Sequence, residues 1–163
     1  MIEVEEMGRK EIDAVLEKVS FGHLGCSSDN VPYVIPIHFA YKKPSFYIYT
    51  TEGKKFEMIS DNPIVCLQVE DIASDTEWRS VIVTGKAVQI TDAEEREEVM
   101  AMITKSNPTL TPAISIRWMD NWIRENREVL YRIRPETVTG RMSGKVVTRA
   151  PLAKPTYKKR PIH

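Results

Sequence analysis

The sequence is poor in the side chains that usually mark a self-sufficient enzyme. It holds two cysteines, Cys26 and Cys66, and three histidines, His23, His38 and His163, in 163 residues. Two cysteines make neither a Cys-rich zinc site nor a disulfide framework. Neither has an adjacent base to activate a thiolate, so both read as small hydrophobes in apolar strands. No second histidine or carboxylate stands at metal-ligand spacing from His38, so no metal site is expected. There is no GxSxG, no P-loop GxxxxGK[ST] and no clear acid pair. Any reaction would have to be carried by a cofactor. No apolar run approaches the ~18 residues of a membrane span, so no membrane association is expected. The segment MIEVEEMGRKEI lacks a signal peptide's apolar stretch, which leaves a reducing cytoplasm as the expected compartment.

Charge of one sign is also missing overall. Lys+Arg and Asp+Glu tie at 23 each, which argues against a dedicated nucleic-acid binder. The distribution is uneven. Residues 1–18 hold six acids and three bases, and residues 141–163 hold seven bases and no acid. Nucleic acid therefore stays a minority reading, attached to that tail. The composition shift near Gly140 divides the chain into a domain over 1–140 and a basic, proline-containing arm over 141–163. The arm is expected to wrap a dimer or help close a site, with Arg141 nearest to it.

What is present is a run of short strands. Ile12, Val15, Leu16 and Val19 predict an amphipathic helix over 9–19. Strands are expected at 21–27, 31–41, 46–51, 64–70, 78–90 and 129–134. A short helix is expected at 54–60. Thr91-Asp-Ala-Glu94 resembles a capping box opening a helix to about Lys105. Thr111-Pro112 opens a second, carrying Trp118, Met119, Trp122 and Ile123 on one side. Six strands with short connections predict a mainly β protein with helices, an antiparallel barrel with helical decoration.

Two segments stand out chemically. In 31–41 the odd positions are all bulky and apolar, while Pro32 and Pro36 share the even set with Val34, His38 and Ala40. Prolines two turns of the pleat apart remove donors from one strand edge, which predicts that this edge is partly unpaired. It could face solvent or a flat ligand. Tyr49-Thr-Thr-Glu-Gly-Lys-Lys55 ends a strand on two hydroxyls, turns at glycine and starts a helix on two lysines. Cations at a helix N-terminus oppose its dipole unless an anion joins them, so a phosphate site is one reading and a solvated lysine pair the other. Arg79 and Ser80 offer donors suited to heterocycle carbonyls. Taken alone, they read as an edge-strand ion pair and a filler serine.

Five pieces in order resemble the pyridoxamine 5′-phosphate oxidase-like split-barrel superfamily, nearest its nitroimidazole-resistance-type branch. They are Phe21-Gly-His-Leu-Gly25, Val31-Pro-Tyr-Val-Ile-Pro-Ile-His-Phe39, Ile48-Tyr-Thr-Thr-Glu-Gly-Lys-Lys55, Asp61-Asn-Pro63 and Trp78-Arg-Ser-Val-Ile-Val-Thr-Gly-Lys86. The resemblance implies a six-stranded antiparallel FMN-binding split barrel, assembled as a homodimer with FMN at the interface. It implies a flavin ring along Pro36, Ile37, His38 and Phe39, a phosphate at Thr50, Thr51, Lys54 and Lys55, and Tyr49 among the cofactor-binding residues. It also implies ring contacts from Arg79 and Ser80. The activity it implies is an FMN-dependent oxidoreductase drawing on NADH or NADPH, with an unidentified acceptor. The alternatives are a non-catalytic flavin carrier, or a split barrel that binds haem or a deazaflavin. Pyridoxamine phosphate oxidases proper carry Arg-Lys where this chain has Lys54-Lys55, and glutamine where it has Ser80.

Overall fold

The structure is a computed structural model, and it describes residues 2–106, 118–119, 122–123 and 128–143. A short strand, β1 (Val4–Glu6), precedes helix α1 (Arg9–Lys18). Then come β2 (Phe21–Ser28), β3 (Val31–Lys42), β4 (Ser45–Thr51) and α2 (Lys54–Asp61). Strands β5 (Ile64–Ser74) and β6 (Glu77–Gln89) lead into α3 (Ala93–Ser106). Two two-residue strands, β7 (Trp118–Met119) and β8 (Trp122–Ile123), pair with each other, and β9 (Glu128–Ser143) closes the order.

The large sheet runs β1-β9-β4-β3-β2-β5-β6, and β6 also pairs with β9. That last pairing closes the six expected strands into an antiparallel barrel, with β1 added on the far end of β9. Closure needs a sharp approach at Gly85, where the β6–β9 register shifts. A Cβ there would lie 2.1 Å from the Arg134 carbonyl oxygen, so only glycine fits. The β2–β3 hairpin turns on Asp29 and Asn30, both with positive φ (49° and 60°), a conformation these two residue types tolerate.

The barrel interior holds Leu24, Phe46, Ile48, Leu67, Val83 and Ile133, each at most 1% exposed. Burying each such side chain contributes roughly 1.5–3 kcal/mol relative to leaving it in water. Helix α1 buries Ile12, Val15 and Leu16, as its periodicity demands, and ends at Val19. Its entry is fixed by the Gly8 N–H, which donates to Glu11 Oε2 at 2.7 Å. Helix α3 packs outside the barrel, setting Val99 and Ile103 against Ala40 and Leu130.

Four expectations change. The cap of α3 is Asp92, which accepts from the Glu95 N–H at 2.9 Å. The Thr91–Glu94 pairing is thus one residue out of step, because the helix starts at Ala93. Trp118, Met119, Trp122 and Ile123 lie on β7 and β8 rather than on a helix. Tryptophan and isoleucine favour strands. Strand β1 was not expected: its three residues are acidic and exposed, with no alternating pattern to read. Strand β9 runs on past Gly140 to Ser143, so Arg141 belongs to the sheet. Thr111-Pro112 and the rest of the basic arm, 144–163, lie outside the described residues. Among the described residues no helix is long and apolar enough to cross a membrane.

Candidate functional site

The barrel is split between β3 and β4. Those strands pair only from Phe39↔Ile48 to Lys42↔Ser45. Beyond that point residues 31–38 of β3 pair with β2 alone, and residues 49–51 of β4 pair with β9 alone. A gap opens between the free edge of β3 and the β4–α2 turn. The Phe39 N–H donates to the Ser20 carbonyl at 2.9 Å, so the odd amides of β3 face β2. By alternation the even positions face the gap. Pro32 and Pro36 bring no N–H there, leaving Val34 and His38 as the donors of this edge. The partly unpaired edge expected from the prolines is present.

Side chains along this edge follow the two-residue period. Val34, Pro36 and His38 are exposed on the outer face, with Val34 at 65%. Ile37 and Phe39 point into the core, at 6% and 2% exposure, so only their backbone can meet a ligand. The His38 ring packs edge-on to Phe21 at 5.1 Å, and Phe21 meets His23 at 5.9 Å.

Across the gap, the β4–α2 turn is built as a cationic cradle. The first helical return bond runs from the Glu57 N–H to the Gly53 carbonyl, leaving the amides of Lys54, Lys55 and Phe56 without helical partners. No side chain caps this end, and a Cβ on Gly53 would meet nothing within 4 Å. The Lys54 Nζ lies 4.8 Å from the Tyr33 ring centroid, a cation–π contact that aims it along β3. Lys55 is half-buried, and burial holds its ammonium below the usual lysine range. Beneath it lies the buried Cys26 thiol, pushed up by burial and pulled back by the charges of Lys55 and Lys54. Among the described residues neither lysine has a carboxylate within ion-pair distance. The helix is pinned at its other end. The Ser28 hydroxyl donates to Asp61, and Asn62 Nδ2 donates to Ser27 Oγ at 3.3 Å.

The threonines and Tyr49 divide between two faces. Thr50 is buried in the barrel end, and Thr51 is half-buried. Tyr49 lies on the α3 side, where its hydroxyl donates to Glu128 at 2.8 Å. Burial, then the Glu128 hydrogen bond, pushes that phenol up to about 12. Tyr131, buried beneath α2, is also pushed up to about 12, first by burial and then by the Cys26 thiol. Its hydroxyl has no hydrogen-bond partner among the described residues, and the neighbouring Ser60 hydroxyl donates to the Phe56 carbonyl at 2.8 Å.

Arg79 and Ser80 are not brought to the gap. They are consecutive on β6, so their side chains leave on opposite faces. Arg79 turns toward α1, where its Nη1 lies 3.9 Å from Asp71 Oδ2 and Lys18 Nζ lies 2.8 Å from the same oxygen. Its reading as an ion pair is the one the geometry carries. Ser80 faces outward, three strands from β3 in sheet order, and accepts from Gln68 Nε2 at 3.4 Å. Sequence reasoning missed Tyr33 as the seat of Lys54, since its odd position marked it as core. It also missed the outward Trp78, which shares a cavity with Ser80 and with Arg141, the arm residue expected nearest a site.

The family profile described as pyridoxamine 5′-phosphate oxidase matches residues 8–142, most of the chain. The chain belongs to the pyridoxamine 5′-phosphate oxidase family. A crystal structure of an FAD-binding protein from Mesorhizobium loti is 27% identical with a TM-score of 0.72, covering 89% of this chain and 100% of that one. A candidate 5-nitroimidazole antibiotic resistance protein from Bacteroides thetaiotaomicron has the same fold, at 19% identity and a TM-score of 0.67. There 88% of this chain and 89% of that chain align. An uncharacterized protein of Rhizobium meliloti (strain 1021) is 35% identical over 83 residues, which are 51% of this chain. The match spans 55%, about half, of that relative's length. The family's split barrel accounts for the unpaired half of β3, and the matched region contains the whole gap and the Lys54–Lys55 turn.

Proposed function

We propose that this chain is a flavoprotein that binds FMN in the gap between β3 and the β4–α2 turn and acts as an oxidoreductase. The observation that carries the reading is Lys55: half-buried, beside Lys54 at an uncapped helix N-terminus, with no carboxylate among the described residues to neutralise it. An uncompensated, partly desolvated charge is unfavourable, and a phosphate at that spot removes the penalty while satisfying free helix amides. The free edge of β3 supplies a flat wall with few donors, suited to the plane of a ring. FMN supplies the redox chemistry. The chain's own residues bind and orient it and shape access for a reduced nicotinamide.

The second reading is FAD, favoured by the FAD-binding protein from Mesorhizobium loti. The two separate by releasing flavin from the purified protein and chromatographing it. FMN is the expected species, and FMN should bind more tightly than riboflavin. A colourless protein that takes up neither FMN nor FAD would overturn the reading. Bleaching by NADH or NADPH under anaerobic mixing is the expected mark of an oxidoreductase, and its absence would leave a flavin carrier.

The proposal includes a homodimer with the flavin at its seam, working in the cytoplasm. The outer sheet face supports assembly: Phe21, Val34 and Ile64 are 43%, 65% and 40% exposed on neighbouring strands. Apolar residues grouped this way mark an association surface. A monomer by light scattering, with flavin bound, would refute the dimer without touching the cofactor reading.

A further inference from the structure

Beneath the cationic turn lie two buried groups that the flavin reading does not use, the Cys26 thiol and the Tyr131 hydroxyl. Both belong to the barrel core, at 6% and 3% exposure. Helix α2 packs over them and is pinned to the end of β2 through Ser28–Asp61 and Ser27–Asn62. Cys26 pairs across β2 and β3 with Tyr33, whose ring carries Lys54, and Lys55 stands over the thiol. No base adjoins Cys26 in the sequence, but the fold brings two lysines to it. The Tyr131 hydroxyl is a buried donor without an acceptor among the described residues, an arrangement that folded proteins avoid. Ser60 does not fill the gap by donating, since its hydrogen goes to the Phe56 carbonyl.

We propose that Cys26 is a site of reversible oxidation to a sulfenic acid by hydrogen peroxide, its added oxygen held by the Tyr131 hydroxyl and the Lys55 ammonium, and that this oxidation displaces the FMN phosphate from Lys55. The coupling to FMN rests on the flavin reading, and the modification itself does not. In the reaction the sulfur attacks one peroxide oxygen. The S–O bond forms as the O–O bond breaks, sulfur is oxidised by two electrons, and the departing hydroxide takes the thiol proton and leaves as water. Burial slows the attack by disfavouring the thiolate, while Lys55 and Lys54 favour it. The product is what selects this position, because its oxygen gains a phenol donor and an ammonium that the thiol leaves idle. A sulfenic acid beside an ammonium gives up its proton more readily. The sulfenate then supplies the internal anion that Lys55 lacks. Bound phosphate, in turn, cancels the pull of Lys55 on the thiol, so FMN protects Cys26. Cys66 has neither feature: it is half-buried on β5, between Gly25 and Thr84 of the neighbouring strands.

In the test, flavin-free full-length protein is treated with hydrogen peroxide and unfolded in dimedone, which caps sulfenic acids. Peptide masses then locate the label, and a parallel sample is titrated with FMN. Cys26 should carry the label, and FMN affinity should fall by about tenfold for loss of the Lys55 contact. Dithiothreitol should reverse both, and protein loaded with FMN beforehand should label less. Cys26→Ala and Cys26→Val, two small apolar replacements, should keep their FMN affinity through the treatment. Cys66→Ala should lose it as the parent does. Tyr131→Phe removes only the hydroxyl, so it should bind FMN normally before peroxide and label less after it. The inference is overturned if Cys26 takes no label, if labelled protein binds FMN unchanged, or if dithiothreitol restores nothing. It is also overturned if the Cys26 variants still lose affinity, if bound FMN gives no protection, or if Tyr131→Phe labels as fully as the parent. Failure of the flavin reading shows separately, as untreated protein that binds no FMN. The label at Cys26 and its dependence on Tyr131 stay readable in that case.

Discussion

The first turn of α2 and the start of β6 each present a cation that the sequence marks as a candidate ligand contact, and the structure treats them in opposite ways. Lys55 is half-buried with no carboxylate in reach, while Arg79 is 48% exposed and shares Asp71 with Lys18. Water and an anion of the protein already satisfy Arg79. Nothing in the described chain satisfies Lys55. A positive charge that the fold pulls from water and leaves uncompensated is the stronger mark of a binding site, because only a ligand completes it. Position in a motif did not separate the two residues; charge compensation does.

The largest expected effect tests that contrast directly. Lys55→Ala should weaken FMN by about tenfold or more, since a charge-assisted hydrogen bond contributes roughly 1.5–3 kcal/mol. Adding Lys54→Ala should weaken it further. Arg79→Ala should change affinity by less than about twofold, the size expected when an exposed, already paired cation is removed. Flavin fluorescence titration measures all three. If the Arg79 variant loses as much affinity as the Lys55 variant, the contrast is empty.

Most of the barrel is readable in the chain because its strands alternate so strictly. The odd positions of 31–41 are all bulky and apolar, and the structure buries or half-buries that face apart from exposed Val31 at the hairpin end. The paired prolines also carry a topological message, since a missing donor belongs on an unpaired edge. What could not be read is what depends on partners distant in sequence. Arg79 meets Asp71 and Lys18, and Tyr33 meets Lys54, through pairings that no local pattern encodes. Trp78 and Arg141 are 63 positions apart and share a cavity only because β6 and β9 close the barrel. Strand β1 exists because the end of β9 offers it an edge, and Val4-Glu-Glu6 has no pattern of its own.

A middle-sized effect follows from replacing the charge and keeping the stem. Lys55→Met retains much of the packing under α2 and removes the uncompensated ammonium. The flavin-free protein should gain on the order of 0.5–1 kcal/mol, the usual scale for removing a functional compromise. The same variant should bind FMN as poorly as Lys55→Ala. Asp71→Asn makes the opposite test at the other site. It strips Arg79 and Lys18 of their shared carboxylate and should destabilise by no more than about 1 kcal/mol, because both cations stay in water. Thermal unfolding of flavin-free samples reads both. A Lys55→Met protein less stable than its parent would mean that the ammonium already has a partner.

The smallest effect is a change of slope with pH, and it sharpens the contrast without any mutation. Burial holds Lys55 below its ordinary value of 10.5 in the flavin-free fold. Between that lowered value and 10.5 the unfolded chain binds the proton more strongly than the folded one. Stability contributed by this group therefore rises with pH across that window. A phosphate beside the ammonium favours its charged form, so FMN should flatten or reverse the rise. FMN affinity should fall over the same window as the amine loses its charge. Above pH 10 the sign changes for the buried phenols. Tyr49 and Tyr131 keep their protons up to about 12 in the fold, so the stability they contribute is lost as pH climbs through that range. Urea midpoints at steps of pH from 7 upward, with and without FMN, would show the difference. Identical slopes in both samples, while FMN remains bound, would place the phosphate away from Lys55.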